Sequence, residues 1–364
     1  MTQQKNHLEQ PLNMVFTLSP PERRTSAVSL PATTATPPTA SIARLRFQRV
    51  GRAVVQPLAA FIPVFVFGTM ITFGLGSLSG LSPAGLQLGE SATPEAVAAL
   101  EHNWGLDRPV YVQYLDWFTG LFRGDLGRSW SNGQPISDQL VQRALISLSV
   151  AGLALMIGIT LGFALGALAG LRQGTAIDRG ITAFATFISV MPAFVVGIVL
   201  VTIFAVGLNL LPSAGYVPIE RGVGLWLSHL ILPAVALSFD MVADVARQLR
   251  VGLIQARREN YVIGALVRGL SERRVFWVHV VRNAIGPTLT ILGMKFANVL
   301  GGAVVLESIF ALSGYGVFAS QSALHGDVPA VQGVLVVSVV LVVGFNLIVN
   351  IVLSRVMPAA RRGI

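Results

Sequence analysis

Six stretches of this chain are long and apolar enough, or nearly so, to cross a lipid bilayer, and this limits the fold more than any other feature. A membrane-spanning helix needs about 20 predominantly apolar residues. Segments 53–76, 145–171, 181–206, 225–246, 284–306 and 333–356 meet or approach that length. Within lipid every backbone N–H and C=O must find its partner inside the protein, so apolar segments of this kind read as helices. A soluble alternative lacks polar surface: 53% of residues are hydrophobic and 12% charged, with a mean hydropathy of +0.68. The expected fold is all-α and polytopic, with about six transmembrane helices.

The chain is basic, with a formal charge of +9. In a soluble protein such an excess would suggest nucleic acid, but here the basic residues sit in short segments between apolar spans, where they act as topology signals. Arg44, Arg46, Arg49 and Arg52 precede the first span; Arg172 and Arg179 separate the second from the third; Arg355, Arg361 and Arg362 follow the last. The segment after the fourth span adds Arg247, Arg250, Arg257, Arg258, Arg268, Arg273, Arg274 and Arg282. The positive-inside rule predicts all of these, and both termini, to be cytoplasmic. The opposite loops agree, since 207–224 holds Arg221 as its only basic residue and 307–332 holds Glu307 and Asp327 with no Lys or Arg. On that basis Glu307 and Asp327 are expected at the outer surface, solvated. No nucleic-acid partner is expected.

Cysteine is absent and the five histidines lie far apart, which excludes disulfides and thiolate chemistry and predicts neither a metal site nor a cofactor. Residues 1–46 are rich in Pro, Ser, Thr and Ala, with no apolar run long enough for a signal-peptide core, and read as a disordered cytoplasmic extension. The remaining organisation follows: a first transmembrane helix over 47–76, an extracytoplasmic amphipathic loop over 77–143, core helices over 144–357, and a cytoplasmic tail over 358–364. The loop carries Trp104, Trp117 and Trp130 with Tyr111 and Tyr114, rings suited to the outer membrane interface.

Two features inside the spans bear on packing. Gly158, Gly162, Gly166 and Gly170 recur every four residues, which places them on one face of the second span and lets a neighbouring backbone approach closely. Pro192 and Pro233 each remove a backbone donor and are expected to kink or locally unwind the third and fourth spans.

The segment between the fourth and fifth spans is the most informative. Residues 259–269 read as a short helix closed by Gly269, which can take a left-handed conformation. Ser271 then offers a cap for a second helix through Glu272, Arg273 and Arg274. Tyr261, Ala265 and Arg268 fall at i, i+4 and i+7, on one predicted face. This arrangement resembles the coupling loop of bacterial ABC importer permeases, specifically the peptide/nickel type of the dipeptide and oligopeptide B-subunit kind. Asn260-Tyr-Val, 268–275 and 282–287 fall where that family's pattern puts them. The resemblance extends over about 47–357, through Gly105-Leu-Asp-Arg-Pro109, Gln113-Tyr-Leu115, Gly124-Asp-Leu-Gly127, Pro192-Ala-Phe194, Gly197 and 211–216. It continues through Gly301-Gly302, Glu307, Phe310, Gly314, Gly316, Asp327, Pro329 and Gln332-Gly333.

The resemblance implies a type I importer permease fold in which segment 255–283 docks on a cytoplasmic ATPase. Tyr261, Ala265, Arg268, Gly269, Ser271, Glu272 and Arg273 would carry that coupling. It also implies a second permease subunit, two ATPase subunits, an extracytoplasmic solute-binding protein and a bacterial inner-membrane location. Di- or oligopeptides are the default substrate, with nickel chelates, glutathione-like peptides or sugars as alternatives. The chain itself has no Gly-x-x-x-x-Gly-Lys-Ser/Thr phosphate loop, so ATP hydrolysis is expected on a partner and no catalytic residue is expected here.

Three charges fall at or near membrane depth: Asp240 and Asp244 in the fourth span and Lys295 in the fifth. Each costs about 3 kcal/mol at the bilayer centre and should face protein or water. One expectation has Lys295 in the translocation pathway, paired with Asp240 or meeting a peptide carboxylate. The other has Asp244 paired with Arg247 and Lys295 neutralised for assembly alone. An ATP-independent secondary transporter or channel would need inverted repeats or ion relays, and no internal repeat is evident. A membrane-embedded sensor or scaffold is disfavoured by the long basic loop.

Overall fold

The computed structural model describes residues 61–356, apart from 79, 81, 90 and 91. The expected N-terminal extension, residues 47–60 of the first span and the tail 358–364 lie outside the described residues. Within them the regular structure is helical, with one isolated antiparallel bridge between Arg128 and Pro135. Five helices have the length and apolarity of a membrane span: α1 (Phe61–Leu78), α5 (Ile136–Leu171), α8 (Val223–Arg257), α11 with its lead-in (Glu272–Ile309) and α13 (Val328–Val356). A sixth crossing is made only if the bent pair α6 (Ala176–Val190) and α7 (Ala193–Leu200, continued as a π-turn over Val201–Gly207) counts as one span.

The seam between α5 and α8 organises the core. All four glycines of the α5 stripe face α8. A Cβ at Gly158 would lie 2.7 Å from Met241 Sδ, one at Gly162 2.7 Å from Val245 Cβ, one at Gly166 2.6 Å from the Ala246 carbonyl and one at Gly170 3.1 Å from Leu253 Cβ. With Leu249 Cβ also 3.1 Å from a Cβ at Gly166, the α8 partners Met241, Val245, Leu249 and Leu253 repeat at the same four-residue interval, and no α5 side chain stands between the two helices at these positions. Where lipid gives no hydrophobic drive between helices, this closeness supplies dispersion contacts along the whole seam. Around it, Ala185 and Ile188 of α6 pack on Val242 and Ala243 of α8. Helix α11 closes the remaining side and carries α13, with Phe296 stacked on Phe345 at 4.1 Å.

The two prolines behave differently. At Pro192 the preceding Met191 leaves the helix (φ −78, ψ 120), and α6 and α7 meet at 98°. The expected third span is thus two helices. A proline disfavours helical geometry in the residue before it, and here that residue has turned extended. Pro233, by contrast, lies buried within the unbroken 35-residue α8, so the expected unwinding does not occur. Tight packing of α5, α7 and α11 around that helix holds it together.

The expected loop 77–143 contains three helices, α2 (Pro83–Leu88), α3 (Pro94–Trp104) and α4 (Val110–Leu121), and α5 begins at Ile136. Ser82 and Thr93 cap α2 and α3, each followed by a proline at the first helical position. Several of the aromatic rings of this segment are half-buried and pack on one another or on α1. Trp104 stacks on Trp130 at 5.8 Å, and Tyr114 lies against Phe73 and hydrogen-bonds Thr69 of α1 at 3.0 Å.

The seam makes a direct prediction. Gly166→Leu should overpack against the α8 backbone at a cost of about 1–3 kcal/mol, lowering the yield of monodisperse protein in detergent. Gly152→Leu on the same helix, where a Cβ meets nothing within 4 Å, should leave the size-exclusion profile unchanged.

Candidate functional site

Three polar constructions stand out in the bundle. The first is the turn between α8 and α11. Helix α9 (Asn260–Val267) closes in a Schellman motif: Gly269 takes φ +81, its N–H bonds the Leu266 carbonyl at 2.9 Å, and the Leu270 N–H reaches back to Ala265 at 3.2 Å. Leu270 packs in the same apolar cluster as Ala265, as that motif favours. Ser271 occupies the cap position of the next helix, but its side chain makes no capping hydrogen bond. That helix, α10 (Glu272–Val275), has only four residues and runs through a π-turn (Phe276–Val280) directly into α11.

The expected shared face of α9 needs correction. Ala265 is buried with Val262 against Leu249, Leu253 and Ala256 of α8 and Val275, Val280 and Ala284 of the α10–α11 lead-in. Tyr261 and Arg268 lie on the exposed side, with Ile263, Leu266 and Val267, the last 82% exposed. Helix α9 therefore has an inner face that grips both long helices and an outer face that is apolar and fringed by Arg257, Arg258, Arg268, Arg273 and Arg274.

The second construction is an ion-pair network near the middle of α8. Lys295 Nζ of α11 lies 2.5 Å from Asp240 Oδ2 and 2.5 Å from Asp244 Oδ2. The other Asp244 oxygen accepts from Arg247, whose guanidinium also donates to Ser189 of α6 at 3.1 Å. Both pairings anticipated from the sequence thus occur together in one charge-neutral chain. Two carboxylates four residues apart on one helix repel, and Lys295 between them removes that cost. A turn further along, Arg250 grips Asp178 of α6 with two hydrogen bonds of 2.5 and 2.8 Å, a bidentate pair buried at the carboxylate.

The third lies at the opposite end from α9 and reverses an expectation. Glu307 and Asp327 are not solvated; they are 1% and 0% exposed. Glu307 accepts from Ser147 of α5 and from the Val317 N–H at 2.9 Å, while Ser147 in turn accepts from the Tyr315 N–H at 2.8 Å. Gly316 is required at this site, since a Cβ there would lie 2.6 Å from Val304 Cγ2. Asp327 collects five hydrogen bonds: the Ser129 and Ser131 hydroxyls and the Trp130, Ser131 and Ala330 N–H groups. Tyr315 of α12 (Tyr315–Leu324) donates to the Val334 carbonyl of α13, and burial pushes its phenol up to about 12, so it stays a neutral donor. These carboxylates act as fasteners between distant segments. A lone acid in a loop reads as solvated, and the serines that bind these two carry no sequence signal. No group of three or more His, Asp or Glu converges as a metal site among the described residues.

Helices of membrane-spanning length and apolarity describe a membrane-embedded protein, and comparison with known proteins gives its family. Residues 158–362 match the family of binding-protein-dependent transport system inner membrane components, and residues 50–151 match the N-terminal region of the same kind of component. The chain belongs to that family. It is 36% identical over 309 residues to a putative peptide transport system permease protein of Brucella abortus, covering 85% of this chain and 98% of that one. It is 33% identical to a probable peptide ABC transporter permease of Sinorhizobium fredii (86% and 100% covered) and 29% identical to the dipeptide transport system permease protein DppB of Escherichia coli (85% and 98% covered).

Asp327 supplies a test of the fastener reading. Asp327→Asn leaves one acceptor oxygen where five donors converge, and each lost bond to a charged acceptor is worth about 1.5–3 kcal/mol. Tryptic cleavage after Arg128 should accelerate at least about tenfold in the detergent-solubilised variant, while cleavage after Arg123 keeps its wild-type rate.

Proposed function

We propose that this chain is one of two membrane subunits through which an ATP-driven importer passes small peptides delivered by an extracytoplasmic binding protein. The observation that carries this reading is the full-length match to peptide permeases, which spans 98% of the Brucella protein at 36% identity. Two cytoplasmic ATPase subunits supply the energy, since the chain has no phosphate loop of its own. The positive-inside pattern puts α9 and both termini on the cytoplasmic side.

The geometry supports a mechanical role for α9. Its outer face, with exposed Tyr261, Ile263 and Val267 among arginines, suits a groove on an ATPase subunit. Its inner face is locked to the ends of α8 and α11 by the Ala265 cluster and the Schellman closure. A displacement of α9 is thereby transmitted along two rigid helices, which meet again at the Lys295 network and carry it into the pathway. Alternation between outward and inward openings follows from repacking of such rigid elements.

Proteoliposomes holding the assembled complex should accumulate dipeptide only with binding protein outside and ATP on the ATPase side. Accumulation without ATP would overturn the importer reading, and uptake of a sugar or nickel chelate in place of peptide would overturn the substrate. Ala265→Leu should lift α9 from its seat, and Gly269→Ala should add about 1–2 kcal/mol of left-handed strain. Both are expected to lower uptake at least about tenfold while ATP hydrolysis by the complex continues, the signature of uncoupling.

A further inference from the structure

On α8, the residues Asp240, Asp244, Arg247 and Val251 follow at i, i+4, i+7 and i+11, and these four escape full burial along one line. The other sides of the helix are occupied, by α5 through Met241, Val245 and Leu253 and by α6 through Val242 and Ala243. The line is the floor of a groove. Its walls are α11, which reaches the floor through Lys295, and α6, which reaches it through Ser189. The α6–α7 break at Met191 and Pro192 begins two residues beyond Ser189.

The four charges on this groove sum to zero but are not equally occupied. Both oxygens of Asp244 are taken, one by Lys295 and one by Arg247. Lys295 is held between two carboxylates, and an incoming anion would have to displace one of them. Asp240 differs: Oδ2 accepts from Lys295, Oδ1 has no partner among the described residues, and the side chain is 50% exposed. An open carboxylate at this depth is costly in hydrocarbon and so faces water or a polar partner. Its free lone pairs accept hydrogen bonds only, and its charge favours a cationic donor. The sequence left Lys295 either paired with Asp240 or open to a peptide carboxylate; the structure has the pair, and the open valence lies on the aspartate.

We propose that Asp240 is a specificity residue of the translocation groove, accepting a side-chain ammonium group of the passing cargo on its free oxygen while Lys295 fixes the other. This rests on the peptide-import reading above and names the cargo group engaged inside the membrane.

The test uses the complete reconstituted complex and two probes, alanyl-lysine and alanyl-glutamate, with initial uptake rates measured at saturating binding protein. Asp240→Asn should lower the lysyl-to-glutamyl rate ratio at least about tenfold, the value of a hydrogen bond to a charged group. The double variant Asp240→Asn with Lys295→Gln keeps the groove neutral, leaves Asp244 with Arg247, and should show the same fall. Asp240→Glu should hold the ratio within about threefold of wild type. Equal losses for both dipeptides would reduce Asp240 to a structural ion pair, and an unchanged ratio in a complex that carries both would remove the inference outright. A wild-type complex that carries neither dipeptide would instead overturn the peptide reading.

Discussion

The close approach of α5 and α8 is the contact on which the rest of the structure depends. Four glycines in register bring the helix backbones together, and the side chains that fill the seam come from α8 alone. Because α8 is thereby fixed along its length, the helices on its other sides have a rigid surface to pack against. In a membrane, where lipid competes on equal terms with apolar side chains, such a surface must come from steric fit. The remaining packing, from the α6 contact through Ala185 and Ile188 to the α11 contact through the Lys295 network, is built outward from that helix.

Charges are used in two ways. At mid-helix they form a half-buried neutral network joining α6, α8 and α11, in which one Asp240 oxygen has no partner among the described residues. At the far end Glu307 and Asp327 are enclosed, and their oxygens are spent on serine hydroxyls and backbone N–H groups. The enclosed acids hold α12, the N-terminus of α13 and the 129–131 segment in fixed positions without any disulfide. Fastening of this kind stiffens that end of the bundle, because buried charge-assisted hydrogen bonds are strong and directional.

Much of this was legible in the chain itself. The rough positions of five spans follow from apolar run length, since a bilayer of fixed thickness imposes a minimum helix length, while the third expected span is two helices meeting at 98°. The glycine stripe was legible because helical periodicity is local, and the closure of α9 because only glycine takes φ +81 without strain. Tyr261, Ala265 and Arg268 share a side by periodicity, yet Ala265 is buried while the other two are exposed. Local periodicity tells which residues share a side, but not which side the neighbouring helices cover.

What the sequence by itself determined is therefore what depends on neighbours along the chain: membrane class, the apolar spans, the small-residue face and the left-handed stop at Gly269. What only the tertiary structure decided depends on neighbours in space. It paired Lys295 with two aspartates 55 and 51 positions away, enclosed Glu307 and Asp327, and kept α8 whole through Pro233. The physical reason is that desolvation and charge pairing are set by whatever atoms come within a few ångströms, and in a helix bundle those atoms arrive from distant turns of other helices.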